Sequence, residues 1–322
     1  MDDQHFELLA QVASFYFEQN LKQDEIAARI GYSRSMVSRL LAEAQEKGVV
    51  EVRINYPLLR CLDLEEALQQ ALNLRIVRVL SRGTLGHSQM LRKLGSMAAR
   101  LVEDLVSQGA KKIGVAWGTA LWETISAVRK ENFADTRVYQ VIGSSGSLNP
   151  EIDGPNLVRH LAEALGGQYF TIPAPLIVDS PLTREALMHD PTVARIMQEA
   201  SSIDLALVGI GMIDPESSSW IRSGYLTQEQ VSSLASQGAV GEVCGIIFDR
   251  KGNLQDNPIR NRVVGIVYDD LMRIPLKLGI SAGEMKTLPI LCACQAGLVN
   301  CLVTDEVAAL GVLESFREDW QK

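Results

Sequence analysis

The sequence predicts an α/β protein in two parts. An all-α helix-turn-helix module, with room for a wing, occupies residues 1–55, and a larger Rossmann-like domain with a mainly parallel sheet occupies residues 56–322. Three observations carry this reading. Early in the chain, apolar residues recur at three- and four-residue spacing and are interrupted at Asn20 and Gly31, as in short packed helices. After Tyr56-Pro57, short runs of Val, Ile and Leu alternate with helical stretches, the pattern of a parallel sheet covered on both faces. Finally, 322 residues at 47% hydrophobic content are about twice the usual domain length, enough for one large core and a smaller module.

From His5 to Glu18, the positions Leu8, Leu9, Val12, Ala13, Phe15 and Tyr16 fall on one helical face. A second helix, about Gln23 to Ile30, ends at Gly31, where a residue tolerant of positive φ allows a sharp turn. Ser33 can cap a third helix that buries Val37, Leu40, Leu41 and Ala44 and leaves Arg34, Ser35, Ser38 and Arg39 outward. Ala27, Gly31 and Val37 supply a small residue at a close crossing, a turn glycine and a β-branched knob, the spacing of a helix-turn-helix. Val49 to Ile54 alternates like a short strand and could form the wing.

The charge pattern points to local contact with DNA. The whole chain carries a net charge of −8, and residues 1–54 hold six Lys/Arg against nine Asp/Glu. Such a balance excludes a protein that coats nucleic acid with its entire surface. Between Ile26 and Ala42, however, lie three arginines, Arg29, Arg34 and Arg39, and no acid. Gln23 is expected to meet phosphate through its side chain or the neighbouring amides. Arg34, Ser35 and Ser38 can enter the major groove, with Ser33 capping beside them, and Arg39 can reach a guanine edge or a phosphate.

In the remainder, strands are expected near Arg75–Val79, Lys112–Val115, Arg137–Ile142, Gln168–Ile172, Ile203–Gly209, Val243–Phe248, Val263–Val267, Leu278–Ser281 and Cys301–Thr304. Helices are expected at Leu62–Leu72, Gln89–Val106, Ala120–Val128, Asn156–Leu165, Gln228–Ser236, Glu284–Cys294 and Glu306–Leu313. Ligands of such sheets sit beyond the carboxyl ends of strands, where four glycine-bearing loops occur. They are Gly114–Thr119, Gly143–Ser147, Gly209–Gly211 and Gly283–Lys286. The first runs into a helix whose free amides face an anion, and the last places an ammonium on a first helical turn.

Other classes are excluded. No apolar stretch reaches membrane-spanning length, and Met1-Asp2-Asp3 is not the basic start of a signal peptide, so a cytoplasmic protein is expected. The odd set Cys61, Cys244, Cys292, Cys294 and Cys301 reads as buried thiols rather than a disulfide framework. Cys292 and Cys294 lack partners for a metal site, so no metal and no cofactor are expected.

The helix-turn-helix segment LKQDEIAARIGYSRSMVSRLLAEAQEKG, followed by GAVGEVCGIIFDRKG from Gly238 to Gly252, resembles the SorC family of sugar-responsive bacterial regulators. IGVAWGTAL, PAPLIV, ALVGIG, IRSGYLT, AGEMK and GLVNCLVTDE occur in matching order, so the resemblance runs almost end to end. It implies a C-terminal domain similar to sugar-phosphate isomerases but without catalysis, a phosphorylated sugar or polyol effector, and a dimer or tetramer reading palindromic operator DNA. It also implies a phosphate near Gly118, Thr119, Ala120 and Lys286, sugar hydroxyls at Glu242, and a cleft lined by Trp117, Gln140 and Ser144. The chain departs from the family's Trp-Gly-Arg-Thr run, which reads Trp117-Gly118-Thr119-Ala120. It has Glu242 where Asp is more frequent, and Gly143-Ser144-Ser145 in place of an Asn-Gly-Gly loop.

The rival expectation is an enzyme that isomerises or deaminates sugar phosphates. It would need a carboxylate base, for which Glu242, Asp214 and Asp179 are available, and a histidine. His87, His160 and His189 lie in this domain, but none stands in a recognisable catalytic string. A DNA-reading module in front favours the regulator.

Overall fold

A computed structural model describes residues 3–50, 58–144, 146, 149–200 and 202–320. The chain divides into two compact units, residues 1–57 and 58–322, each with its own core.

In the first unit, α1 (Asp3–Ala13) continues into one π-helical turn at Ser14–Glu18, followed by α2 (Gln23–Ile30) and α3 (Arg34–Glu46). The wider turn holds an extra residue and shifts the helical phase. Phe15 therefore packs inward, whereas Tyr16, expected on the same face, points to solvent. Gly31 ends α2 at φ 73°, and the Ser33 side chain accepts a hydrogen bond from Met36 N at 3.3 Å to start α3. Leu9, Val12, Ile26, Val37, Leu40 and Ala44 close the core of the unit. Val49 and Val50 pack against it in a bend rather than a strand, and the rest of the expected wing, together with Pro57, lies outside the described residues.

The second unit opens with α4 (Leu62–Leu72), β1 (Ile76–Leu80), α5 (His87–Ser107), β2 (Lys112–Val115), α6 (Thr119–Ala127), β3 (Arg137–Gln140), α7 (Gly154–Leu165) and β4 (Gln168–Phe170). Two helices that periodicity did not single out follow, α8 (Pro181–His189) and α9 (Pro191–Ala200), each begun by a proline. Next come β5 (Leu205–Gly209), β6 (Gly211–Met212), α10 (Ser219–Arg222), α11 (Gln228–Ser236), β7 (Ala239–Val243) and β8 (Ile246–Asp249). The chain finishes with α12 (Tyr268–Arg273), β9 (Leu276–Ile280), α13 (Thr287–Gln295), β10 (Cys301–Asp305) and α14 (Glu306–Trp320).

Seven strands form one sheet in the order β1-β10-β9-β5-β2-β3-β4, every neighbouring pair parallel. α5, α6 and α7 pack as one helical group and α4, α13 and α14 as another, and β10 is buried along its whole length between them. Gly95 in α5 lets α6 approach so closely that a Cβ there would lie 2.5 Å from the Glu123 backbone.

Two expected strands take other forms. Val243–Phe248 is not one strand: Cys244 (φ 52°) and Gly245 (φ 76°) turn the chain back, so β7 and β8 pair antiparallel and β6 joins them in a separate three-stranded sheet. Two consecutive positive φ values are the signature of a two-residue hairpin turn. Val263–Val267 makes only isolated bridges, Ile177 to Val263 and Ile142 to Gly265.

Candidate functional site

In the main sheet the connections from β2 run toward β3 and β4, whereas β5 leads to β9 and β10 on the other side. A crevice therefore opens beyond the carboxyl ends of β2 and β5, the position where open parallel sheets bind ligands. The structure has a cavity of about 490 Å³ there, within the usual size range for small-molecule sites.

The sheet supplies one wall through Trp117, Gly118, Thr119 and Ala120, which join β2 to α6. Gly118 has φ 125°, and a Cβ on it would meet nothing within 4 Å, so its backbone borders open space at the start of α6. The unpaired amides and dipole of that helix start favour a negative ligand group.

Lys286 reaches the opposite wall. Its Nζ donates to the Ile210 carbonyl at 2.7 Å, and burial lowers its pKa to about 8 although Glu242 works against the shift. Glu242 on β7 is almost fully buried and accepts a hydrogen bond from Gly245 N at 2.9 Å. Burial pushes its carboxyl above the usual range, with the Gly245 amide and the Lys286 charge opposing. The fully buried Trp220 indole N–H lacks a hydrogen-bond partner, yet it faces Glu242 closely enough to favour the ionised form. Gly211 makes this placement possible, since a Cβ on it would lie 2.1 Å from Glu242 Oε1.

Further polar residues that sequence reasoning did not assign to the ligand also line the cavity, among them His87, Glu123 and Arg222. Burial raises the Glu123 pKa, with Arg92 opposing. The chamber adjoins a more open one where Arg82, Arg222 and Lys286 gather. A ligand would thus meet cations and carboxyls side by side, since Glu242 acts on Lys286 and Glu284 lines the second chamber.

Two expected cleft residues sit apart from it. Gln140 is fully buried: its Nε2 donates to Ile142 O at 2.7 Å and its Oε1 accepts from Ile172 N at 2.9 Å, so the amide satisfies backbone groups. Ser144 donates to Asp153, and its own carbonyl accepts from Tyr225 Oη at 2.5 Å. Its loop packs against Pro175, where a Cβ on Gly143 would come within 2.4 Å of the carbonyl, and Ser145 and Ser147 lie outside the described residues. Of the five cysteines, four are buried and Cys61 is half-buried, all as free thiols. Among the described residues no group of three His, Cys, Asp or Glu side chains could hold a metal, and no helix is long and apolar enough to cross a membrane.

In the first unit, Arg34, Ser35, Ser38 and Arg39 are exposed together on α3, while Gln23 at the start of α2 is half-buried. The Ser33 hydroxyl, 2.9 Å from Ser35 Oγ, is engaged in the cap. Two features temper the positive tip. Asp24 approaches Arg34 at 3.7 Å, and the Arg29 guanidinium lies 4.5 Å from the centre of the Phe15 ring, so Arg29 is partly spent on packing. Tyr32 and Met36 are exposed beside these polar groups and add apolar surface.

Residues 56–314 match the family described as a putative sugar-binding domain, and residues 7–70 match a Crp-like helix-turn-helix domain. The chain is 33% identical to the transcriptional regulator LsrR of Klebsiella pneumoniae over 95% of this chain and 93% of that protein. It is 32% identical to LsrR of Escherichia coli strain K12 over 96% of this chain and 95% of that one. The full-length sorbitol operon regulator SorC from Klebsiella pneumoniae is a structural neighbour at TM-score 0.74 and 28% identity, covering 97% of this chain and 99% of that one. A probable sor operon regulator from Shigella flexneri follows at TM-score 0.72 and 25% identity, covering 78% and 99%.

Proposed function

Because the chain belongs to the SorC-type family of sugar-binding transcriptional regulators, we propose that its affinity for operator DNA is set by a phosphorylated sugar or sugar alcohol held in the cavity beyond β2 and β5. The chain is a DNA-binding regulator with a sugar-binding domain, and its relatives are named regulators rather than sugar-phosphate isomerases.

One observation carries the effector reading. The open start of α6 at Gly118–Ala120, the half-buried Lys286 ammonium and the Glu242 carboxyl, distant in sequence, border one cavity. In this reading the phosphate lies at the α6 start and Lys286, where a point charge and free amides complement its oxygens. Glu242 accepts hydrogen bonds from ring or chain hydroxyls, and Trp117 contributes an apolar wall. Arg34, Ser35 and Ser38 read the major groove, Arg39 reaches a guanine edge or a phosphate, Gln23 meets the phosphate backbone, and Ser33 caps the helix beside them. Paired modules about 34 Å apart, or at multiples of that spacing, would read a palindrome, which calls for a cytoplasmic homodimer or homotetramer.

The test is a thermal-shift screen of pentose and hexose phosphates and the parent polyols, repeated for the best hit with operator DNA. A phosphorylated compound should raise the melting temperature and change operator affinity, and Lys286→Gln should remove both effects. Equal shifts from phosphorylated and free sugars, or an unchanged response in Lys286→Gln, would overturn the phosphate assignment.

A further inference from the structure

Behind the β7–β8 turn lies a second cavity of about 230 Å³. At the roughly 30 Å³ that one water occupies in the liquid, it has room for about eight water-sized volumes. Ile246, Leu254, Val263 and Ile266 give it an apolar floor. Arg184, Arg260, Asn261 and Tyr268 stand around it, and no carboxylate of the described residues lines it.

The two guanidiniums are presented differently. Arg184 on α8 is half-buried and donates from Nε to the Val263 carbonyl at 2.8 Å, which fixes the plane of its fork. Arg260 is exposed at the mouth. Its backbone N–H is held by Asn257 Oδ1 at 3.0 Å, so the loop position does not depend on its side chain. Among the described residues neither arginine pairs with a carboxylate. Two such cations over an apolar floor match a ligand with one anionic head and a short hydrocarbon body, since an arginine fork pairs with carboxylate or phosphate oxygens.

The location matters as much as the lining. Cys244 borders both this cavity and the larger one, and Gly245, which lines the smaller, donates the amide hydrogen bond that holds Glu242. Gly245 also abuts Val263, where a Cβ would come within 2.8 Å. An occupant here would press on the turn that positions Glu242.

We propose that this cavity is a second ligand site, taking a small organic anion of about four carbons, with Arg184 and Arg260 receiving its head group. Calorimetric titration of the full chain with butyrate, n-butyl phosphate and butan-1-ol tests it. Saturable binding of at least one anion without binding of the alcohol is expected, and the tighter anion identifies the head group. Arg260→Glu should weaken that binding about tenfold or more, in line with loss of a charge-assisted hydrogen bond. In Lys286→Gln, which removes the cation of the larger cavity, one saturable anion site should remain, and Arg260→Glu should weaken it in that background too. The proposal fails if the alcohol binds as well as the anions, if no anion saturates, or if Lys286→Gln abolishes binding while Arg260→Glu preserves it. It fails equally if Arg260→Glu changes the oligomeric state and no anion binds, because the arginines would then serve a second copy of the chain.

Discussion

Gly211→Ala isolates the contact on which the Glu242 position depends. The new methyl carbon would lie 2.1 Å from Glu242 Oε1 and 2.8 Å from its Cδ, well inside the 3.0 Å below which one of the two must shift. Gly211 does not occupy the positive-φ region, so alanine adds no backbone strain and the whole effect comes from contact. Glu242 must leave its place, which breaks its hydrogen bond from the Gly245 amide. A buried donor left unsatisfied costs about 1–3 kcal/mol and residual overpacking costs about 1–3 kcal/mol, so we expect a loss of about 2–6 kcal/mol. For a unit of this size, at about 2 °C per kcal/mol, the melting temperature should fall by roughly 4–12 °C. Calorimetric unfolding, alongside titration with the best-binding sugar phosphate, measures both stability and affinity. The double variant Gly211→Ala/Glu242→Ala removes the clashing side chain and should recover about 1–3 kcal/mol relative to additivity. Additive effects, or a single variant that melts and binds like the parent, would refute the reasoning.

Three further outcomes follow from the same geometry. Arg34→Ala and Ser38→Ala should each weaken operator binding, Arg34→Ala by about 1–3 kcal/mol if it pairs with a base, with effector affinity intact in a parallel titration. Lys286 is depressed to about 8 by burial, so its positive charge is full below that pH and vanishes above it. Sugar-phosphate affinity should therefore fall as pH rises through about 8, and Lys286→Gln should flatten that segment of the profile. Gly95→Val should lower the melting temperature of the second unit by driving α5 from α6, because its Cβ would meet backbone rather than a movable side chain.

Most of the helix-turn-helix was legible because its signals are local. Apolar spacing, the Gly31 turn and the Ser33 cap each act within one helical turn. The parallel strands were legible as continuous apolar runs, but the same continuity hid the β7–β8 hairpin. Cys244-Gly245 sits within an unbroken apolar stretch, and cysteine at positive φ is not a usual turn signal. Gln140 was misplaced for a related reason: a polar side chain at a strand end resembles a ligand contact, whereas its partners, Ile142 and Ile172, emerge only when the strands are assembled. Glu123 and Arg222 were not assigned to the ligand, and His87 was weighed only as a catalytic group, because nothing in their neighbours distinguishes them from solvated helix residues. Likewise, Asp24 lies outside the acid-free window in sequence but next to Arg34 in space.

The buried carboxylate of Asp305 has a mechanical consequence. It sits at the end of β10 with no exposed surface, accepts from Gly283 N at 2.7 Å and Ala308 N at 3.3 Å, and pairs with Arg82 at 3.4 Å. Three stretches of chain, after β1, after β9 and at the head of α14, are riveted to one side chain. The loop bearing Lys286 is therefore a wall that cannot give without pulling on the chain after β1 and on the head of α14, and Glu242 faces it from the small sheet packed on α13.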